Sequence, residues 1–213
     1  MESVAGPRGV GVIELVAAGL DLDCEGLAAA SACLSREERR RAARFYSARE
    51  RRRFIAARGR LRAELAARLG TTPAAVAFTC GQNGKPALAE PFAGSGWCFN
   101  VSHSGELALY AFARACELGV DVEAVRDVPE SAAIAQQHFS APENARLLSA
   151  PAQERPLEFL RLWTRKEAYA KALGDGMARP LGAIDVTGTP AGWRLDSFSP
   201  RSGYIAALAA RST

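Results

Sequence analysis

The order of strand and helix signals constrains this chain of 213 residues more than any other feature of its sequence. Apolar runs predict strands at 10–17, 76–79, 98–102, 107–113, 117–123, 183–187, 192–196 and 203–209. Helical periodicity predicts helices at 35–69, 130–138, 142–149 and 155–173. The first half of the chain is thus predicted to run from a strand through a long helix to further strands. The second half runs from strands through helices to strands. We therefore predict an α/β (α+β) fold in two halves, residues 1–104 and 105–213.

The first long helix has recognisable ends. Ser35 is predicted to cap its N-terminus, with Glu37 and Glu38 in the first turn, where the helix dipole favours acidic side chains. Gly70 is predicted to end it. Twelve arginines lie between 36 and 62. They leave three interpretations open: a solvated helix face, a surface for phosphate or a partner protein, and a nucleic-acid-binding surface.

Composition narrows the class of protein. Apolar residues make up 48% and charged residues 23% of the chain, as in ordinary globular proteins. No apolar run approaches the ~20 residues that span a bilayer, and the N-terminus lacks a signal-peptide pattern. We therefore expect a cytoplasmic protein without a membrane partner. The five cysteines lack C-x-x-C spacing and are expected to be reduced thiols, and the net charge of +4 favours acidic partners.

Lysine is rare in this chain. There are 24 arginines but only three lysines, Lys85, Lys166 and Lys171. A compact, rotatable ammonium differs from the planar guanidinium in what it can bind. All three lysines fall inside the motifs described next, which favours a specific use for them.

Two pairs of charged residues have spacings that place them together. Asp121 and Glu123 share one face of a predicted strand, and carboxylates of this kind suit Mg²⁺ as well as an ordinary solvated strand end. Glu167 and Lys171 share one face of a predicted helix, where a surface ion pair is the alternative. Lys166 is rotated by about 100° from Glu167 and is expected to face another part of a ligand or solvent.

Two further motifs precede these pairs. His103 ends a predicted strand beside Ser102, and either a ligand contact or a packed, hydrogen-bonded histidine fits it. Lys85 follows a predicted turn at Asn83-Gly84, and Pro86 replaces the Ser or Thr of a Walker loop. No G-x-S-x-G elbow surrounds the serines, so a hydrolase triad is not expected.

In this order, the motifs resemble those of the Sfp-type 4′-phosphopantetheinyl transferases. The matching segments are Gly84-Lys85-Pro86, Asn100-Val101-Ser102-His103-Ser104, Gly119-Val120-Asp121-Val122-Glu123, and Trp163-x-x-Lys166-Glu167-Ala168-x-x-x-Lys171. Arg41-x-x-x-Phe45 matches the helical region before them, and the resemblance spans residues 35–175. Glu38 departs from the pattern, since some members have a basic residue there.

The resemblance implies a role for each matching residue. Asp121, Glu123 and Glu167 would hold Mg²⁺, or alternatively Mn²⁺, against the diphosphate of coenzyme A. Glu167 would act as the catalytic base, directly or through a metal-bound water, and Lys171 would stabilise or protonate the leaving oxygen. The residues implied to bind coenzyme A are Arg41, Lys85, Pro86, Ser102, His103 and Lys171.

The implied reaction moves phosphopantetheine from coenzyme A to a serine of an apo acyl or peptidyl carrier protein, giving the holo-carrier and adenosine 3′,5′-bisphosphate. The resemblance also implies a monomer of two similar halves with pseudo-twofold symmetry and an active site at their interface. Nucleic acid is not an expected partner. The alternatives are another Mg²⁺-dependent phosphohydrolase or nucleotidyl transferase, and a nucleic-acid-binding module built on the arginine-rich helix.

Overall fold

The computed structural model describes residues 12–81, 84–174 and 180–212. Within these ranges the α-helices are α1 (Cys24–Ala32), α2 (Arg36–Ala43), α3 (Ala48–Leu69), α4 (Ser131–His138), α5 (Ala141–Ser149) and α6 (Arg155–Leu173). The strands are β1 (Glu14–Gly19), β2 (Phe78–Cys80), β3 (Pro86–Leu88), β4 (Trp97–Ser104), β5 (Leu107–Arg114), β6 (Leu118–Ala124), β7 (Trp193–Phe198) and β8 (Tyr204–Arg211). The predicted mixture of helices and small sheets is confirmed.

The two three-stranded sheets share one strand order. The first is ordered β1-β5-β4 and the second β6-β8-β7, with antiparallel neighbours throughout. In each, the last strand along the chain lies in the centre, and helices connect the first strand to the following hairpin. The shared strand order agrees with the expectation that the two halves have similar folds. The division at residue 104 remains a prediction, and the pairing of β5 with β1 and β4 favours a boundary between β5 and β6.

The core consists of four layers, in the order helix, sheet, sheet and helix. One face of β5, with Tyr110 and Phe112, packs against α3 around Leu61. The other face, with Leu109, packs against β6 and β8 around Val120. The far face of the second sheet packs against α6. Fully burying each large apolar side chain stabilises the fold by about 1.5–3 kcal/mol. The apolar contact of β5 with β6 and β8 therefore holds the two sheets together.

The predicted single helix at 35–69 is wrong, because the structure has two helices separated by residues 44–47. Ser35 caps α2 as predicted and forms a capping box with Glu38. Ser47 then caps α3 by accepting a hydrogen bond from the backbone of Glu50, so a second capping residue begins a new helix. As predicted, the helix ends at Gly70, which has a φ of 65°.

Glu38 ties α2 to α3. Its carboxylate is buried and accepts hydrogen bonds from Arg58 Nε at 2.5 Å and Arg62 Nε at 2.7 Å. Arg62 is only 2% exposed and also donates to two backbone carbonyls beyond the end of α3. The departure from the family pattern at Glu38 therefore has a structural use: it fixes α2, which carries Arg41, against α3.

A buried ion pair connects α6 to α5. Lys166 and Glu143 have side chains that are 0% exposed, and their charged atoms are 2.8 Å apart. The ammonium also donates to the carbonyls of Leu181 at 2.8 Å and Ile184 at 2.7 Å, so each of its three protons has an acceptor. The expectation that Lys166 faces a ligand or solvent is therefore wrong.

Shorter segments also differ from the prediction. The predicted strand at 183–187 is wrong, since a 3₁₀-helix at Leu181–Ala183 and its following loop bind the Lys166 ammonium instead. Of the predicted turn, Asn83 lies outside the described residues, as do residues 10 and 11 of the predicted first strand. Among the described helices, none has the length and apolarity needed to cross a membrane.

The helix α6 lies directly on β6 because residue 119 is glycine. A Cβ at Gly119 would lie 2.1 Å from the carbonyl oxygen of Ala168 and 2.5 Å from the amide nitrogen of Ala172. Only glycine permits backbones to approach this closely. The contact brings the part of α6 that carries Glu167 and Lys171 against the strand.

We predict that Gly119→Ala destabilises the protein by about 1–3 kcal/mol or more, because the new methyl group meets backbone atoms that cannot move aside. Chemical denaturation measures the free energy of unfolding. Gly94→Ala is the matched control, since a Cβ at Gly94 meets nothing within 4 Å. Equal stability of the two variants would contradict this explanation of the helix–strand contact.

We predict that Lys166→Met lowers the free energy of unfolding by about 3–5 kcal/mol, because it leaves the Glu143 carboxylate buried and unpaired. The control is Arg60→Met, which breaks a 2.8 Å pair with Glu64 in which the arginine side chain is 51% exposed. A surface pair of this kind contributes about 0–1 kcal/mol. Similar losses in both variants would mean that burial of the Lys166 pair is energetically unimportant.

Candidate active site

Side chains of β4 join the two sheets by hydrogen bonds to β6, and we call this set of contacts the seam. Asn100, Ser102 and Ser104 alternate along β4 and therefore share one face. Asn100 Oδ1 accepts from the backbone of Val120 at 2.9 Å. Ser102 Oγ donates to Asp121 Oδ1 at 2.8 Å, and Ser104 Oγ donates to Glu123 Oε2 at 2.7 Å. The seam thus binds the main chain of β6 and both of its carboxylates.

Asp121 occupies the buried part of the site. It is 4% exposed, and its Oδ1 accepts from Ser102 and from the Lys171 ammonium at 2.6 Å. Its Oδ2 is buried and has no hydrogen-bond partner within the described part of the chain. An unpartnered buried oxygen of this kind costs about 1–3 kcal/mol, so it marks a position suited to a further donor or a cation.

Glu123 and Glu167 are half-buried and share the field of Asp121. Burial is the main cause that raises the pKa of Glu167, and the negative charges of Asp121 and Glu123 raise it further, while Lys171 opposes them. Burial likewise raises the pKa of Glu123, with Asp121 adding to the effect and the Ser104 hydrogen bond opposing it. The three carboxylates therefore lie close enough to repel one another, and the site favours an added positive charge.

Lys171 provides the positive charge that contacts this cluster directly. Its ammonium donates to Asp121 Oδ1 and, at 3.2 Å, to Ser102 Oγ. Within the described residues, no three side chains of His, Cys, Asp or Glu are arranged to bind a metal ion without rearrangement. The lysine thus connects α6, β6 and β4 at one point.

A cleft of about 360 Å³ opens beside Glu167. Glu167 and Lys171 line it from α6, and Lys85 and Pro86 line it from the start of β3. The Lys85 ammonium donates to the carbonyls of Leu118 at 3.0 Å and Ala172 at 3.4 Å, and burial lowers its pKa. Residues from both halves therefore form the walls of this cleft.

His103 faces a second, smaller cavity of about 290 Å³ on the other side of β4. Phe45 and Phe54 line this cavity, and the Arg41 guanidinium lies over the Phe54 ring, 5.4 Å from its centre. The pKa of His103 is lowered, mainly by desolvation and then by the charge of Lys171, with a smaller effect of Arg41. The structure thus brings Arg41 and His103 together beside the carboxylate site.

The sequence-predicted residues lie mainly at two cavities. Lys85, Pro86, Glu167 and Lys171 border the cleft, whereas Arg41 and His103 border the smaller cavity. Between them, the Ser102 hydroxyl contacts Asp121 and Lys171. The binding of coenzyme A and of a metal by these residues stays a prediction.

Sequence reasoning missed the structural part of the site. The hydrogen bonds of Asn100 and Ser104 to β6 were not predicted, nor was the role of Gly119. A signal was present: the serines at 102 and 104 have the same spacing as the acids at 121 and 123. Two strands that lie side by side in that register bring each serine to one carboxylate.

Known proteins match both parts of the chain. The family described as "4'-phosphopantetheinyl transferase, N-terminal" matches residues 23–114, and the "4'-phosphopantetheinyl transferase superfamily" matches residues 117–199. The 4′-phosphopantetheinyl transferase HetI from a Nostoc species is 40% identical over 188 residues, which cover 84% of this chain and 79% of HetI. The 4′-phosphopantetheinyl transferase Sfp from Bacillus subtilis is 30% identical over 72% of this chain and 66% of its own length.

Among solved structures, the holo-[acyl-carrier-protein] synthase of Thermotoga maritima overlaps 46% of this chain and 63% of its own, with 21% identity. Its TM-score of 0.36 is too low to establish a common fold. The sequence relatives are decisive, because HetI is matched over most of both chains. The chain therefore belongs to the 4′-phosphopantetheinyl transferase family.

Proposed function

We propose that the chain transfers the 4′-phosphopantetheinyl group of coenzyme A to a serine hydroxyl of an apo acyl or peptidyl carrier protein. The serine oxygen bonds to the β-phosphorus, the bond from that phosphorus to the bridging oxygen breaks, and adenosine 3′,5′-bisphosphate leaves. The observation that supports this most is the approach of α6 to β6 across Gly119, with Lys171 bonded to Asp121 and Glu167 in the field of Asp121 and Glu123.

We propose that Asp121, Glu123 and Glu167 would hold a Mg²⁺ ion, although the described residues form no three-ligand metal site in its absence. Their oxygens are the ligands that Mg²⁺ prefers, and Mn²⁺ accepts the same kind. Asp121 Oδ2 is buried without a partner, and mutual repulsion contributes to the raised pKa of both glutamates. When bound, the ion would neutralise charge on the diphosphate.

Glu167 is the proposed base. Because its pKa is raised, the Glu167 carboxylate is a stronger base than that of an ordinary glutamate. It therefore accepts a proton from the incoming hydroxyl more readily. Its position at the wall of the cleft leaves it accessible to a partner serine. Lys171, four residues further along α6, is placed to stabilise the leaving oxygen.

Coenzyme A is proposed to span both cavities. Arg41 and His103 would lie near its 3′-phosphate and adenosine, with Lys85 and Pro86 at the neighbouring wall. Ser102 would be near this end, although its hydroxyl already contacts Asp121 and Lys171. The grouping of cations is what a ligand with phosphates at two positions requires.

The proposed partner is a carrier protein with an acidic surface. The net charge of +4 and the exposed arginines of α2 and α3 would attract such a partner, and salt would then slow the reaction. A cytoplasmic location and a monomeric state belong to the same proposal. A nucleic-acid-binding function would leave the contact between Asp121 and Lys171 without a use.

We predict that the protein, coenzyme A, Mg²⁺ and an apo carrier domain give a carrier heavier by one phosphopantetheinyl group, as read by intact mass spectrometry. A carrier whose acceptor serine is replaced by alanine is the control and should not change. Formation of adenosine 3′,5′-bisphosphate should match the adduct in amount. Consumption of coenzyme A or nucleotides without an adduct on any acyl or peptidyl carrier would overturn the proposed transfer.

We predict that Glu167→Gln abolishes transfer and raises the melting temperature of the metal-free protein. The raised pKa of Glu167 means that its charge destabilises the fold at neutral pH, and glutamine removes that charge. The gain in melting temperature should shrink as pH falls through the raised pKa, where the native glutamate becomes protonated. Glu37→Gln, at an exposed position on α2, changes the net charge equally and is the control. Transfer activity in the Glu167→Gln variant would exclude Glu167 as the base. A lower melting temperature would contradict the destabilising effect of its charge.

A further inference from the structure

Ser104 makes two hydrogen bonds that determine where its proton points. Its Oγ accepts from the backbone amide of Ala124 at 3.1 Å and lies 2.7 Å from Glu123 Oε2. Because the amide can only donate, and an ionised carboxylate can only accept, the hydroxyl proton is directed to Glu123. The serine is therefore held in one orientation and presents one donor to one carboxylate oxygen.

The same arrangement occurs one step earlier along both strands. Ser102 Oγ donates to Asp121 Oδ1 at 2.8 Å. Serines two residues apart on β4 thus match acids two residues apart on β6, although the strands lie in different sheets. In both pairs the serine comes from the first sheet and the carboxylate from the second.

Glu123 needs such support more than Asp121 does. Asp121 is buried and contacts Lys171 directly, whereas Glu123 is half-buried at the open end of the strand and is repelled by Asp121. Without a donor on Oε2, its side chain could turn away from its acidic neighbours. The Ser104 bond opposes that rotation and leaves the other oxygen, Oε1, for a further ligand.

We propose that Ser104 is a positioning residue, which holds the Glu123 carboxylate from the opposite sheet so that its second oxygen faces the divalent ion. This inference rests on the proposed metal-dependent function. Hydroxyl groups that orient a metal-binding carboxylate typically change metal affinity by about 10–100-fold when removed. A serine that only stabilised the strand end would change the free energy of unfolding and leave metal affinity unaltered.

The test compares side chains of equal shape that differ in the hydroxyl. Ser104→Thr keeps the donor, and Ser104→Val replaces it with a methyl group in nearly the same volume. Mn²⁺ binding to each variant is measured by electron paramagnetic resonance, with coenzyme A present and no carrier. Thermal melting without metal shows the folded fraction. Ser199→Ala is the control, since among the described residues its hydroxyl bonds only to the backbone carbonyls of Arg201 and Tyr204.

We expect Ser104→Val to raise the Kd for Mn²⁺ by about 10–100-fold, with Ser104→Thr and Ser199→Ala within about threefold of the unaltered protein. In transfer assays, excess Mg²⁺ should restore most of the rate of Ser104→Val. Equal Mn²⁺ affinity of the threonine and valine variants would overturn the role of Ser104 alone. Absence of Mn²⁺ binding by the unaltered protein would overturn both this role and the proposed metal site.

Discussion

Hydrogen bonds between side chains of β4 and the edge strand β6 set the register of the two sheets at the site. The two sheets meet there without a backbone ladder, so Asn100, Ser102 and Ser104 supply the contacts instead. The neutral bond of Asn100 contributes about 0.5–1.5 kcal/mol, and each serine bond to an ionised carboxylate about 1.5–3 kcal/mol. Breaking one also leaves a buried polar group unpaired, which costs about 1–3 kcal/mol. The register between the halves is therefore specified by polar groups, whereas the apolar core supplies most of the stability.

This register places the negative charges of three carboxylates together on one side of the seam. Asp121 and Glu123 project from β6, and Glu167 approaches them from α6 because Gly119 lets the helix lie on the strand. Burial of Glu123 and Glu167, together with repulsion among the carboxylates, opposes folding, and Lys171 offsets part of this cost. The site is thus held in a state that a divalent cation would relieve. Apolar burial elsewhere in the core compensates for this local cost.

Sequence patterns predicted those parts that depend on local spacing. The bounds of α6 were predicted as 155–173 and confirmed, and strand alternation correctly placed Asp121 and Glu123 together. Contacts between distant segments were not predictable in this way. The burial of Lys166 depends on Glu143 in another helix, and the break between α2 and α3 depends on a cap at Ser47 that interrupts a continuous helical pattern. Conversely, helix and strand periodicity say nothing of how β4 faces β6.

A crystal structure with coenzyme A and Mn²⁺, in which anomalous scattering locates the metal, tests the proposed metal site most directly. We predict one strong peak bonded to oxygens of Asp121, Glu123 and Glu167, with Ser104 still donating to Glu123. The proposed catalytic centre at the seam would be contradicted by a metal bound to other residues. A metal that binds the diphosphate away from β6 would contradict it equally.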